Sequence, residues 1–274
     1  MNHHLQSHHL QRLITGVVAA PLLIIFIYYS SEQLFSLLIF AVIQMAVWEY
    51  NTLAFGKDGF VREKGEVFFF AAVIAISTYI SGNAMITSVL TFCLLLCFIV
   101  FLSQITDQAI DMSRVGKVLL GFMYMPLLMS SFILLRHLPQ GVSWIFFTLV
   151  LAFCGDVFGY YTGKTLGKRK LFPALSPGKT VAGTIGLMCG SLLGGVIFQQ
   201  LIFTELPLIH ALIMGAGGGI LGQLGDLFES ALKRSAGVKD AGFIFPGHGG
   251  ILDRLDSLSF IAPFVFYYQR FIIT

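Results

Sequence analysis

The sequence predicts an all-α fold, a polytopic membrane helical bundle of about nine transmembrane helices with its N-terminus in the cytoplasm. Three observations support this. Of the 274 residues, 56% are hydrophobic and 11% charged, and the mean hydropathy of +0.83 lies far outside the range of a soluble domain. Apolar windows long enough to cross a bilayer recur along the chain. Lysine and arginine collect in alternate connections between them.

A helix needs about 20 apolar residues to cross the hydrocarbon core. The windows run approximately from Leu13 to Tyr29, Leu34 to Phe55, Glu66 to Ser81, Ala84 to Leu102, Val118 to Leu135, Trp144 to Thr162, Thr180 to Phe203, Ile209 to Phe228 and Ile251 to Phe271. Strands of a membrane barrel are about ten residues long and alternate in polarity. These runs are longer and continuously apolar, which favours helices. The first window has no small-residue cleavage site behind it and reads as a retained span. His3, His4, His8 and His9 before it read as a polar tail. Cys93, Cys97, Cys154 and Cys189 fall inside spans, where a small polarisable side chain packs. No disulfide or metal is expected of them.

The positive-inside rule tests the count, since each connection must alternate sides. Arg12, Lys57, Arg62, Lys64, Arg114, Lys117, Lys164, Lys168, Arg169, Lys170, Lys179, Lys233, Arg234 and Lys239 fall on the cytoplasmic side. Only Arg136 and Arg270 fall outside, and Arg254 opens the last span from the cytoplasmic end. The chain also divides lengthwise. Residues 1–140 hold spans one to five, which are almost featureless; residues 141–274 hold spans six to nine, with most of the intramembrane charge and glycine, and are expected to carry the chemistry. Gly186, Gly190 and Gly194, and then Gly218 and Gly222, recur at helical contact spacing and read as packing seams.

Acidic side chains at membrane depth are costly and mark function. Asp226, Glu229 and Lys233 share one face of the eighth span, and Asp253 and Asp256 share a face at the start of the ninth. Carboxylates converging from two helices repel unless a cation lies between them, and hard oxygen ligands suit Mg²⁺. Gly247, Gly249 and Gly250 before the ninth span offer backbone donors of the kind that bind phosphate. Beyond span six, Asp156, Tyr160, Lys164 and Lys168 would continue one stripe if that helix passes the membrane surface. Gly178-Lys179-Thr180 is not a P-loop, because Pro173 stands where that motif requires glycine and no strand is expected before it.

Ser230-Ala231-Leu232-Lys233-Arg234, Lys239-Asp240, Pro246-Gly247-His248-Gly249-Gly250 and Asp253-Arg254-Leu255-Asp256 together resemble the long C-terminal signature of phosphatidate cytidylyltransferases. The resemblance extends to Asp156 through Lys168, to Ser176 through Thr180, to Gly225 through Ser230 and more loosely to Trp48-Glu49-Tyr50. Ala182 departs from it, since many members carry Glu or Gln there. The resemblance implies a homodimer in a bacterial inner membrane, with CTP, phosphatidate and membrane lipid as partners and no nucleic acid. It also implies that Asp226 and Asp253 hold Mg²⁺, with a second cation such as K⁺ in addition.

In that scheme Glu229 and Asp256 support the metal, while Lys233, Arg234, Lys239 beside Asp240, His248 and Arg254 face phosphates. Lys164, Lys168 and Lys179 reach the triphosphate, and Ser176 and Thr180 hydrogen-bond to it. The phosphate of phosphatidate would attack the α-phosphorus of CTP and release pyrophosphate. A CTP-dependent polyprenol kinase shares part of the pattern but would release CDP. A cation-coupled transporter would need an inverted repeat, which is missing.

Overall fold

A computed structural model describes residues 21–56, 60–105, 110–242 and 249–273. The four N-terminal histidines, Arg12, Lys57, Pro246, Gly247 and His248 lie outside the described residues. Residues 21–29 form α1. After it come α2 (Glu32–Phe55), α3 (Val61–Ser81), α4 (Ile86–Leu102), α5 (Ser113–Met123), α6 (Met125–Met129), α7 (Ser131–Arg136) and α8 (Gly141–Leu166). A hairpin of β1 (Lys170–Phe172) and β2 (Ser176–Thr180) leads into α9 (Val181–Leu201), α10 (Leu208–Ser235) and α11 (Leu252–Tyr268), which passes into a π-helical turn, Gln269–Ile273.

Among the described residues six segments are long and apolar enough to cross a membrane: α2, α3, α5 to α7 taken together, α8, α9 and α10. Helices α4 and α11 have 17 residues each. The fifth expected span is not one helix. The chain breaks at Tyr124, whose ψ is −96°. Pro126 has no N–H for the carbonyl of Phe122, and its ring would press on that carbonyl. The Ser130 hydroxyl donates to the Pro126 carbonyl at 2.6 Å, tying the next kink.

The stripe expected to reach Lys168 also ends early. Helix α8 stops at Leu166 with Gly167 as its cap, and Lys168 stands exposed beyond it. The chain then folds back as an antiparallel hairpin that the sequence did not announce, with Lys170 opposite Thr180 and Phe172 opposite Ser176. Thr180 caps α9, its hydroxyl accepting the Gly183 N–H at 3.1 Å.

The small-residue seams are packing devices, as their spacing predicts. On α9, a methyl group at Gly194 would lie 2.7 Å from Cys154 Cβ of α8, and one at Gly186 would meet Thr162. Reciprocally, a methyl at Gly159 of α8 would lie 3.0 Å from Leu187 Cβ of α9. Helices α8 and α9 therefore touch more extensively than any other described pair, and α10 lies against both α9 and α11. Without a hydrophobic driving force between helices in lipid, close backbone approach supplies the attraction.

Contacts sort the connections into two ends. At one end Arg136, expected on the outer side of the membrane, is buried within the protein; its guanidinium donates to the carbonyls of Ile27 and Ser30 and lies over the Phe35 ring. Gln140 donates to Glu205 at the same end. At the other end the Tyr50 hydroxyl donates to the Lys117 carbonyl at 2.6 Å and Arg114 lies 3.6 Å from Glu63. The hairpin and the start of α11 are at this second end.

Overpacking a close helix seam costs about 1–3 kcal/mol. Gly190→Val, whose side chain would meet Phe158 and the Cys154 carbonyl, is expected to lower the thermal unfolding midpoint in detergent. Gly116→Ala, whose added methyl would meet nothing within 4 Å beyond its own helix backbone, is expected to leave it unchanged or raise it slightly through better helix propensity. Equal midpoints for the two variants would contradict the seam.

Candidate functional site

Helix α10 continues past its apolar stretch to Ser235, so that Asp226, Glu229 and Lys233 stand one above another on the face turned to α11. Gly225 has no side chain on this face, where any would meet Phe260 and the Asp256 carbonyl. That absence lets α11 come close enough for Asp256 to join the α10 acids. Asp226, Glu229 and Asp256 each offer a carboxylate oxygen, and these oxygens lie within 4.8 Å of one another. Glu229 is 1% exposed, and its Oε1 has no hydrogen-bond partner among the described residues.

Asp253, expected beside Asp226 as a metal ligand, is engaged elsewhere. Its Oδ1 lies 2.5 Å from Lys233 Nζ, and its Oδ2 accepts the N–H groups of Gly250 at 2.9 Å and Ala241 at 3.1 Å. Lys233 also reaches Glu229 Oε2 at 2.6 Å, so one ammonium joins an acid of α10 to an acid of α11. Lys233, expected to face phosphate, is thus held between two carboxylates.

Beside the acids lies a cavity of about 360 Å³ between α8, α9, α10 and the hairpin. Asp156, Tyr160 and Lys164 line it from α8, Lys179 and Thr180 from β2, and Asp226 from α10. Lys179 Nζ is 2.6 Å from Asp226 Oδ2, which ties the hairpin to the acid group. The cavity thus has basic and acidic walls that meet at Asp226, an arrangement able to hold a polyanion together with a cation.

Other expected site residues lie outside the cavity lining. Arg234 is exposed and donates to the carbonyls of Leu175 at 3.1 Å and Val238 at 3.0 Å, bracing the hairpin against the end of α10. Ser176 opens β2, half-buried and outside the cavity lining. Lys239 and Asp240 are exposed in the connection from α10 to α11, and Arg254, exposed on α11, interacts electrostatically with Asp156 of the cavity wall. Gly249 has φ of +81°, a backbone state that glycine adopts without strain, beside the Asp253 carboxylate. The Gly250 N–H, expected to face phosphate, goes to Asp253.

Sequence reasoning gave no role to Thr184 and Gln223, which line the cavity and are joined at 3.0 Å. Glu49 was noted only as part of a loose resemblance. It is 1% exposed, and its oxygens accept the N–H groups of Ile251 at 3.0 Å and Leu252 at 2.9 Å. The available signal was an acid inside an apolar helix. Thr184 and Gln223 gave none, since polar uncharged side chains are common helix-packing groups in membranes.

Comparison with known proteins gives the family. The cytidylyltransferase family model matches residues 10–272. A phosphatidate cytidylyltransferase of Bacillus subtilis is 35% identical over 263 residues, 94% of this chain and 96% of the relative. One from Thermotoga maritima is 32% identical over 262 residues, 92% of this chain and 93% of the relative. One from Staphylococcus saprophyticus is 38% identical over 157 residues, 57% of each chain. With a family model matching nearly end to end and a relative 35% identical over 94% of the chain, this chain belongs to the cytidylyltransferase family.

Proposed function

We propose that the protein is a phosphatidate cytidylyltransferase, converting CTP and phosphatidate to CDP-diacylglycerol and pyrophosphate. The observation that carries this reading is the carboxylate group of Asp226, Glu229 and Asp256 beside a cavity walled by Lys164 and Lys179. Together they can hold two phosphate-bearing substrates in one place.

A phosphate oxygen of phosphatidate forms a bond to the α-phosphorus of CTP, and the bond from that phosphorus to the oxygen bridging to the β-phosphate breaks. Pyrophosphate takes the electron pair. The nucleophile is already an anion, so charge compensation matters more than a general base. Three hard carboxylate donors, one with an orphaned buried oxygen, fit Mg²⁺, with Asp226, Glu229 and Asp256 holding it. Asp253 joins that set only by releasing Lys233. Bound there, the ion would supply neutralisation of phosphate charge. A second cation such as K⁺ belongs to the same proposal.

Lys179 leaves Asp226 for a triphosphate oxygen as CTP enters, and Lys164 meets the same group from α8. Lys233 holds Glu229 and Asp253 in register. The acyl chains stay in lipid while CTP arrives from water, which fits a site at the cytoplasmic end of the bundle; nine spans in a bacterial inner membrane belong to the same proposal. A homodimer surrounded by membrane lipid completes the proposal.

Purified protein given CTP, Mg²⁺ and phosphatidate is expected to release pyrophosphate and form CDP-diacylglycerol; release of CDP instead would identify a kinase. Asp226→Asn and Asp256→Asn are each expected to cost about 10²-fold or more in turnover. Activity near that of the parent at saturating Mg²⁺ would remove the residue from the metal set.

Lys239→Ala is expected to be severely impaired, because its ammonium can reach phosphate from the α10–α11 connection. The double variant Arg169→Ala, Lys170→Ala is expected to stay active, since a solvated charge contributes little. Equal losses, measured per folded enzyme, would place the start of the hairpin in the site. For orientation, cysteines replacing Lys170 and Glu205 are expected to react with an impermeant thiol reagent from opposite sides. Labelling of position 170 in intact cells would reverse the orientation.

A further inference from the structure

Helix α11 brings Asp253 and Asp256 to the site, and of its own early residues Asp253 alone ties down the approach, by accepting the Gly250 and Ala241 N–H groups. Its N-cap position is Ile251, whose side chain makes no cap hydrogen bond. A helix start leaves N–H groups without intrahelical partners and carries partial positive charge. Here two of them, and the N–H just before them, end on carboxylates. Gly250 donates to Asp253, while Ile251 and Leu252 donate to the two oxygens of Glu49, some 200 residues earlier on α2.

The fit around Glu49 is close on both sides. A methyl group at Gly242 would lie 3.0 Å from Glu49 Cγ, and one at Gly250 would press on Glu49 Oε2. The glycines flanking the α10–α11 connection therefore admit this one carboxylate against the backbone. Its place is also the place where a phosphate would bind at a helix start. With Glu49 there, the Ile251 and Leu252 amides are unavailable to substrate, and substrate charge is left to the lysines and the acid-held cation.

We propose that Glu49 is a positioning residue for the transfer reaction, a buried anion from the N-terminal half that seats α11 so that Asp256 meets Asp226 and Glu229. This rests on the cytidylyltransferase reading above. Its carboxylate binds two adjacent amides at once, which sets both the height and the rotation of the first turn of α11. Asp253 and Asp256 lie within that turn and the next. A shift of about 1 Å at reacting groups can cost about 10²-fold in rate, so the effect reaches catalysis without any contact between Glu49 and substrate.

The test compares Glu49→Gln with Tyr50→Phe in the full-length protein. Tyr50 is the next residue, also buried, and loses only its 2.6 Å hydrogen bond to the Lys117 carbonyl, away from α11. A carboxamide offers one acceptor and turns an N–H toward an amide donor. Glu49→Gln is therefore expected to lose about 10²-fold in kcat per folded enzyme and to expose the amides at 251–252 to faster hydrogen exchange. Glu49→Asp should recover part of both. Tyr50→Phe should lower the unfolding midpoint with kcat within a few-fold of the parent and unchanged exchange at 251–252.

If both variants lose activity in proportion to their midpoints, Glu49 is structural only and the proposal fails. It fails equally if exchange at 251–252 is unchanged in Glu49→Gln. Should Glu49→Gln not fold, Glu49→Asp carries the same comparison. Absence of CDP-diacylglycerol from the parent protein would defeat the functional reading, while the exchange measurement would still decide whether Glu49 seats α11.

Discussion

Two acidic helix ends cannot approach one another without a cation between them, and the rest of the site follows from how the chain meets that constraint. Lys233 lies between Glu229 of its own helix and Asp253 of the next, within 2.6 Å of each. Such a pair with little access to water is worth keeping only when every partner is hydrogen-bonded. Asp253 meets that condition through two backbone amides besides the ammonium. This arrangement leaves Asp226, Asp256 and the second oxygen of Glu229 as a group that the one ammonium does not neutralise.

The hairpin between α8 and α9 answers part of that demand. It delivers Lys179 to Asp226 at one edge of the cavity, and it is held there by the Thr180 cap of α9 and by Arg234 gripping the Leu175 carbonyl. An ion pair whose acid is also a candidate metal ligand is poised for exchange. In the proposed reaction Lys179 would turn to substrate phosphate and leave Asp226 to hold a cation, whose charge would offset that of the phosphates. The glycine seam behind it holds α8 against α9, so the cavity walls stay in place while these partners change.

The division of the chain into a featureless N-terminal part and a chemical C-terminal part therefore needs amendment. Helix α2 sends Glu49 to the start of α11, and the broken segment α5 to α7 packs against α11 through Tyr124, whose ring meets Phe228 of α10 and Phe260 of α11 edge-on. The first half thus bears directly on the helix that carries Asp253 and Asp256.

The sequence by itself determined the helical membrane class, the alternation of charged connections, the glycine seams and the residue types of the site. These follow from periodicity, composition and local spacing, each of which acts over one or two turns of chain. It also placed Asp226, Glu229 and Lys233 on one face. Only the tertiary structure decided how the acids partition, with Asp256 rather than Asp253 joining the open group, because partner choice depends on helix separations of a few ångströms. The break at Tyr124 was readable in Pro126, whereas the hairpin was not, since its short strands carry no alternating pattern. The reach of Glu49 to Ile251 and Leu252 had no local signal beyond an acid in an apolar run, because the backbone donors it meets exist only once α11 has been brought to it.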